Sequence, residues 1–361
     1  MDRGRYTCLV DEDRRTEHLV TAMRARELGR RAIAVGDRVD LVGDISGRPD
    51  TLARIVRIGE RTSVLRRSAD DTDPSERVLV ANADALLIVV AVANPPPRTG
   101  FIDRCLVAAY TGHLEPVLLL TKADLADPAA LLAAYAELDL PVLVTRREQR
   151  SRRLAADSVN AVRTELAGRV CALIGHSGVG KSTLVNALVP DADRATGTVT
   201  GVGKGRHTSS SAVALRLPGG GWIIDTPGVR SFGLAHVTAD DVLESFDDLL
   251  PATANCPPGC DHAAPGLGCA LDDLVARGEA SPGRLESFRR LLASRGDAES
   301  GAAAESGTAD PAGAGPGTTD PTGSESGTTD PTAEPATTDP IGAESAADPE
   351  QDTDFGRPDQ G

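Results

Sequence analysis

Residues 175–182, GHSGVGKS, fit the pattern G-x-x-x-x-G-K-[ST], and few folds can accommodate that pattern. Its glycines let backbone N–H groups turn inward toward an anion, which requires a buried strand running into the loop and a helix leading out of it. Both flanks are present: VCALI (170–174) is a continuous apolar run of strand length, and STLVNALV (182–189) suits a helix. The runs ALLIVVAVA (85–93), PVLLLTKAD (116–124), PVLVT (141–145) and GWIIDTPG (221–228) also read as buried strands, with helical patterns at 101–112, 128–138 and 151–167. Such alternation predicts an α/β domain, a parallel sheet flanked by helices. Gly175, His176, Ser177, Gly178, Val179, Gly180, Lys181, Ser182 and Thr183 are expected to cradle a nucleoside triphosphate. Lys181 would neutralise the β- and γ-phosphate oxygens and so act in catalysis, and the Ser182 hydroxyl would bind Mg²⁺.

Two further stretches belong to the same chemistry. DTPG (225–228) ends the strand WIID; Asp225 is suited to reach Mg²⁺ through water, and the Gly228 N–H to meet the γ-phosphate during hydrolysis. TKAD (121–124) follows the strand PVLLL, at the strand end where α/β sheets present ligand-binding residues. The Asp124 carboxylate can accept hydrogen bonds from guanine N1–H and the 2-amino group, whereas adenine offers neither. Lys122 would lie along the base, with Thr121 and Ala123 completing the set; asparagine is commoner at the Thr121 position. Taken alone, Asp124 also reads as a helix N-cap before LADPAALLAAY. A second strand end, at Val144–Thr145, then supplies a backbone N–H for guanine O6. Base-reading elements therefore come first, the phosphate loop second and the switch elements last. This order predicts a circularly permuted P-loop GTPase domain over residues 79–238.

Residues 5–68 contain the short β segments RYTCLV, AIAVGDRVDLV, LARIVRIG and SVLRR, which suggest a small barrel over 1–68, and the polar stretch 69–78 reads as a linker. Residues 239–295 are helical and carry CPPGCDHAAPGLGC, in which Cys256, Cys260, His262 and Cys269 form a closed Cys₃His set suited to one structural zinc ion. From 296 onward fifteen acidic side chains face one arginine, which accounts for −14 of the chain's net −15. A TxDP phrase recurs there, and the composition predicts a disordered acidic tail over 296–361. Clustered rather than framework-spaced cysteines, no apolar run of bilayer length and a charged first thirty residues lead to the expectation of a cytoplasmic protein with no membrane partner.

The phrases VGDRV (35–39), VLRR (64–67), VANADALLIV (80–89), GHSGVGKSTLVNAL (175–188), GKGRHTSS (203–210), DTPGVRSFGL (225–234) and the Cys/His cluster together resemble the ribosome small subunit-dependent GTPase A family over about residues 5–295. The resemblance implies an N-terminal OB-fold barrel, a C-terminal zinc-binding domain and GTP hydrolysis stimulated by the small ribosomal subunit during its late maturation. It also implies a catalytic role for the switch histidine, His207. Val229 follows the DTPG glycine where Ras-like proteins place a water-orienting glutamine, so unaided hydrolysis should be slow. Thr208 or Ser209 would add a second hydroxyl ligand to Mg²⁺. The zinc ligands depart slightly from the family's spacing, with a shorter first gap and a longer last one.

Contact with ribosomal RNA is likewise an implication of the resemblance, because residues 36–70 hold seven arginines against six acids and no aromatic residue. Arg66 and Arg67 on a turn, and Arg289 and Arg290 in RLESFRRLLASR (284–295), are the phosphate-contact candidates of a chain expected to be monomeric. A second function class fits the same motifs: a GTP-regulated RNA-binding scaffold with incidental hydrolysis.

Overall fold

The structure, a computed structural model, describes residues 4–294 apart from 13, 30–31, 69–75, 152, 190–211, 227–232, 235 and 266–267. Strands β1 (Arg5–Val10), β2 (His18–Arg24), β3 (Val39–Gly43) and β4 (Ala53–Ile58) form one sheet in the order β1-β2-β4-β3. Alternation along β2 turns Val20 and Ala22 inward and leaves Leu19 and Met23 exposed. The inward residues build a small core of their own with Leu28, Ile33, Ala53 and Ile55.

A hairpin of β5 (Val64–Ser68) and β6 (Glu76–Ala81) meets this sheet through a bridge between Val35 and Val80 and through Asn82 Nδ2, which donates to the Gly36 carbonyl. The linker expected over 69–78 therefore gives way to strand at Glu76, where β6 begins to pair with β5 on the way to the apolar pair Leu65–Val80. Leu65 and Val80 are fully buried, and they join the core of the larger domain rather than that of the four-stranded sheet.

The larger sheet contains β7 (Ala85–Ala91), β8 (Glu115–Thr121), β9 (Val142–Val144), β10 (Val170–Ile174), β11 (Val213–Arg216) and β12 (Trp222–Asp225), in the order β11-β12-β10-β7-β8-β9. All neighbours are parallel except β11 and β12. Every residue of β7 is buried, because a parallel sheet is covered on both faces. Leu87 and Val89 pack with α3 (Ala156–Leu166) and α4 (Lys181–Leu188), and Leu86 and Ile88 pack with α1 (Thr99–Thr111). The second core continues through α2 (Ala129–Tyr135), α5 (Ala239–Leu243), α6 (Ala270–Ala276) and α7 (Pro282–Ser294). Among the described residues, no helix is long and apolar enough to cross a membrane. The acidic tail expected over 296–361 lies outside the described residues.

Candidate nucleotide site and metal centre

The C-terminal ends of β8, β9, β10 and β12 meet at one edge of the sheet, which brings Thr121, Val144, Ile174 and Asp225 together from distant parts of the chain. Strand β10 lies between β7 and β12 and runs directly into the loop 175–180. Gly175 has no substitute here: a Cβ would sit 2.5 Å from the Val89 carbonyl oxygen of β7. Gly180 caps α4 at φ 107°, a conformation that L side chains rarely adopt. Lys181 Nζ folds back over the loop and donates to the carbonyls of Gly175 and His176. Burial pulls its ammonium below the usual value, and the Asp225 carboxylate opposes that shift. The His176 ring tilts against Phe101, with centroids 4.1 Å apart.

Thr121 carries more of the site than its place in the motif suggests. Its buried hydroxyl donates to the Val179 carbonyl inside the phosphate loop at 2.6 Å. The Thr121 hydroxyl thus ties the TKAD stretch to the phosphate loop. Lys122 Nζ donates to the Asn94 carbonyl, and Asp124 Oδ1 accepts the Arg147 N–H at 3.0 Å.

The O6 donor expected at Val144–Thr145 meets a different use. Thr145 is fully buried and gives its N–H to the Leu120 carbonyl at 2.7 Å, which continues the β8–β9 ladder by one residue beyond Val144. The next N–H, that of Arg146, has no hydrogen bond to a described residue. Just past β12, Thr226 Oγ1 donates to the Leu173 carbonyl at 2.6 Å, which fixes the strand end that carries Asp225. His207, Thr208, Ser209 and Gly228 lie outside the described residues.

The second constellation is built by the segment leading into α6. The ligand atoms of Cys256, Cys260, His262 and Cys269 all lie within 4.8 Å of one another. His262 Nδ1 is 3.6, 3.5 and 3.6 Å from the three sulfurs in chain order, and the sulfurs of Cys256 and Cys269 are 3.9 Å apart. A tetrahedral ion with metal–sulfur bonds of about 2.3 Å and a metal–nitrogen bond of about 2.0 Å needs separations of about 3.5–3.8 Å. The cluster can therefore hold a metal ion, and the altered gaps between ligands do not disturb their convergence. The Ala270 N–H also donates to Cys256 Sγ at 3.3 Å.

Residues 58–235 match the RsgA GTPase family. A small ribosomal subunit biogenesis GTPase RsgA from Gemmatimonas aurantiaca is 40% identical over 264 residues, which cover 72% of this chain and 83% of that protein. Its counterpart from Chlorobaculum parvum is 34% identical over 273 residues, 73% of this chain and 86% of that one. The chain belongs to the RsgA GTPase family. Its fold agrees with the crystal structure of YjeQ from Thermotoga maritima (TM-score 0.59, 24% identity, 82% of this chain and 95% of that one) and with that of YloQ, a circularly permuted GTPase (TM-score 0.57, 22% identity, 82% and 92%). The motif order read in the sequence is accordingly the permuted order of an RsgA-type GTPase.

Of the four arginines expected to contact RNA, Arg289 and Arg290 are engaged within the protein. Arg289 holds Asp272 with two nitrogens, at 2.8 and 3.0 Å, and its Nε donates to the His262 carbonyl at 3.1 Å. It therefore fastens the metal-binding loop to α6. Arg290 pairs with buried Asp103 of α1 at 3.3 Å and lies 4.9 Å over the Tyr135 ring. Both guanidiniums are spent on packing α7, a use that depends on partners far away in the chain. Arg66 and Arg67 sit on β5 rather than on a turn, Arg66 exposed and Arg67 half-buried.

Proposed function

We propose that this GTPase hydrolyses GTP slowly alone and rapidly on the small ribosomal subunit, and that it acts late in that subunit's maturation. The hydrogen bond from Thr121 to Val179 is the observation that carries the reading, because it ties the base-reading strand to the phosphate loop across the permuted chain order. Asp124 selects guanine through N1–H and the 2-amino group, and the Arg146 N–H is the O6 donor. Lys181 swings from the loop carbonyls onto the β- and γ-phosphates. Ser182, with Asp225 through water and Thr208 or Ser209, would hold Mg²⁺, which neutralises charge developing on the phosphates. Val229 cannot orient water, so His207 takes that part on the small subunit. Zinc on Cys256, Cys260, His262 and Cys269 is structural, since four protein ligands leave no open position. The protein works as a monomer in the cytoplasm.

Turnover of GTP by the purified chain, alone and with small subunits, tests the reading. Stimulation that Lys181→Ala abolishes and His207→Ala reduces by about a hundredfold or more is the expected result. Tight GTP binding with no stimulation would instead make the chain a scaffold.

A further inference from the structure

Strands β5 and β6 pair so that Arg67 stands directly opposite Arg77. Side chains opposite one another in an antiparallel pair share a face, with Cβ atoms about 4.5–5.5 Å apart, and like charges placed there repel. Neither arginine has an ion pair or hydrogen bond among the described residues. Arginines of the four-stranded sheet and its flank do: Arg57 meets Asp40 at 2.5 Å and Arg61 meets Asp37 at 2.7 Å. The Nε of Arg67 is buried without a hydrogen-bond partner, and the residue as a whole is half-buried. Arg77 is exposed.

The strand that presents this pair is held firmly. Ser68, fully buried, donates its N–H to the Gly233 carbonyl at 3.1 Å, and its hydroxyl lies 3.0 Å from His236 Nδ1. Arg67 thus stands one residue from a fixed point, and Gly233, which accepts the Ser68 N–H, follows 227–232 directly in sequence. Two guanidiniums on one face, with no carboxylate paired to either among the described residues, match the several oxygens of a phosphate group.

We propose that Arg67 and Arg77 jointly seat one backbone phosphate of ribosomal RNA, a proposal that rests on the small-subunit reading above. A phosphate between them removes the repulsion that the hairpin otherwise carries. It also places an RNA contact against the anchor of the segment that would sense the γ-phosphate.

The test measures binding of the wild type, Arg67→Gln, Arg77→Gln and the double variant to small subunits and to protein-free small-subunit RNA, over a range of salt. Each single substitution is expected to weaken binding to both about tenfold near 0.1 M salt and to lower the salt slope by about 0.7–0.9. The double variant should lose less than the product of the single losses, because both side chains hold one phosphate. Melting temperatures should stay level or rise as the repulsion is relieved. Unchanged binding, a double loss equal to the product, or a loss confined to the intact subunit (an acidic protein contact) would overturn the seat. So would a lowered melting temperature accompanying the loss. If the wild type binds neither ligand, the small-subunit reading falls and takes the seat with it; if the wild type binds and the variants match it, only the seat falls.

Discussion

The two domains that flank the GTPase sheet are attached in opposite ways. On the metal side, α7 sinks Phe288, Leu291 and Leu292 into the same core that holds Ile102 and Leu106 of α1, and Phe246 meets Phe288 edge-on at 5.3 Å. On the other side, the sheet β1–β4 keeps a separate core and touches β11–β12 through polar tips. Trp222 Nε1 donates to Glu12 at 2.7 Å, and Arg216 pairs with Glu17 at 2.5 Å. Apolar burial stabilises in proportion to the area removed from water, whereas exposed ion pairs contribute about 1 kcal/mol or less. The metal-binding helices should therefore unfold together with the GTPase body, and the four-stranded sheet should be able to part from it. Between these extremes lies the β5–β6 hairpin, whose first strand falls in the stretch read as the small barrel but whose Leu65 and Val80 pack into the GTPase core.

The largest effect expected comes from Phe288→Ala. Removing a fully buried ring costs about 3–5 kcal/mol, and denaturant unfolding should remain a single transition at lower midpoint. A separate early transition confined to the metal-binding helices would break the comparison. A smaller effect, with a pH signature, is expected from Arg290→Gln. Burial raises the Asp103 carboxyl above its ordinary range, and Arg290 opposes that rise. Without the cation the folded-state value climbs further, so the folded protein holds a proton that the unfolded chain, titrating near about 3.9, has already released. Stability is then lost as pH rises through that window, leaving a deficit of about 2–3 kcal/mol at neutral pH that shrinks on acidification. Melting curves across pH 4–8 should show the deficit converging; a pH-independent deficit would mean that Arg290 acts through packing on Tyr135 alone.

The contrast between the seams also explains what could be read in the sequence. The strands of the GTPase sheet were legible because burial on both faces leaves continuous apolar runs, as in ALLIVVA of β7. The phosphate loop and the Cys₃His set were legible because their chemistry fixes residue types at short spacing. Strand β11 was not legible: its four residues alternate between half-buried and exposed at the sheet edge, so no apolar run marks it. The use of Arg289 and Arg290 was hidden for a different reason. Asp272 is 17 residues from Arg289, and Asp103 is 187 from Arg290, so a basic run that looks solvent-facing becomes a pair of clamps only after α7 docks. Thr121 lay between these cases, since its position announced a role and the fold decided that a hydroxyl could fill it.

The smallest effect belongs to the polar seam, and it has its own reporter because Trp222 is the chain's single tryptophan. Glu12→Gln replaces a charged acceptor by a neutral one, and Glu17→Gln removes the pair with Arg216; each should cost less than about 1 kcal/mol in global stability. Emission from Trp222 should nevertheless shift to longer wavelength as its ring becomes more hydrated, and salt approaching 1 M should reproduce most of that shift in the wild type. Arg216 stacks 5.7 Å over the same ring, so Arg216→Gln should move the emission in the same direction. Loss of the cation removes both the Glu17 pair and the stacking contact, which makes this the largest spectral change of the three. If global stability instead fell as far as in Phe288→Ala, the seam would be part of the cooperative core and the two flanking domains would be attached alike.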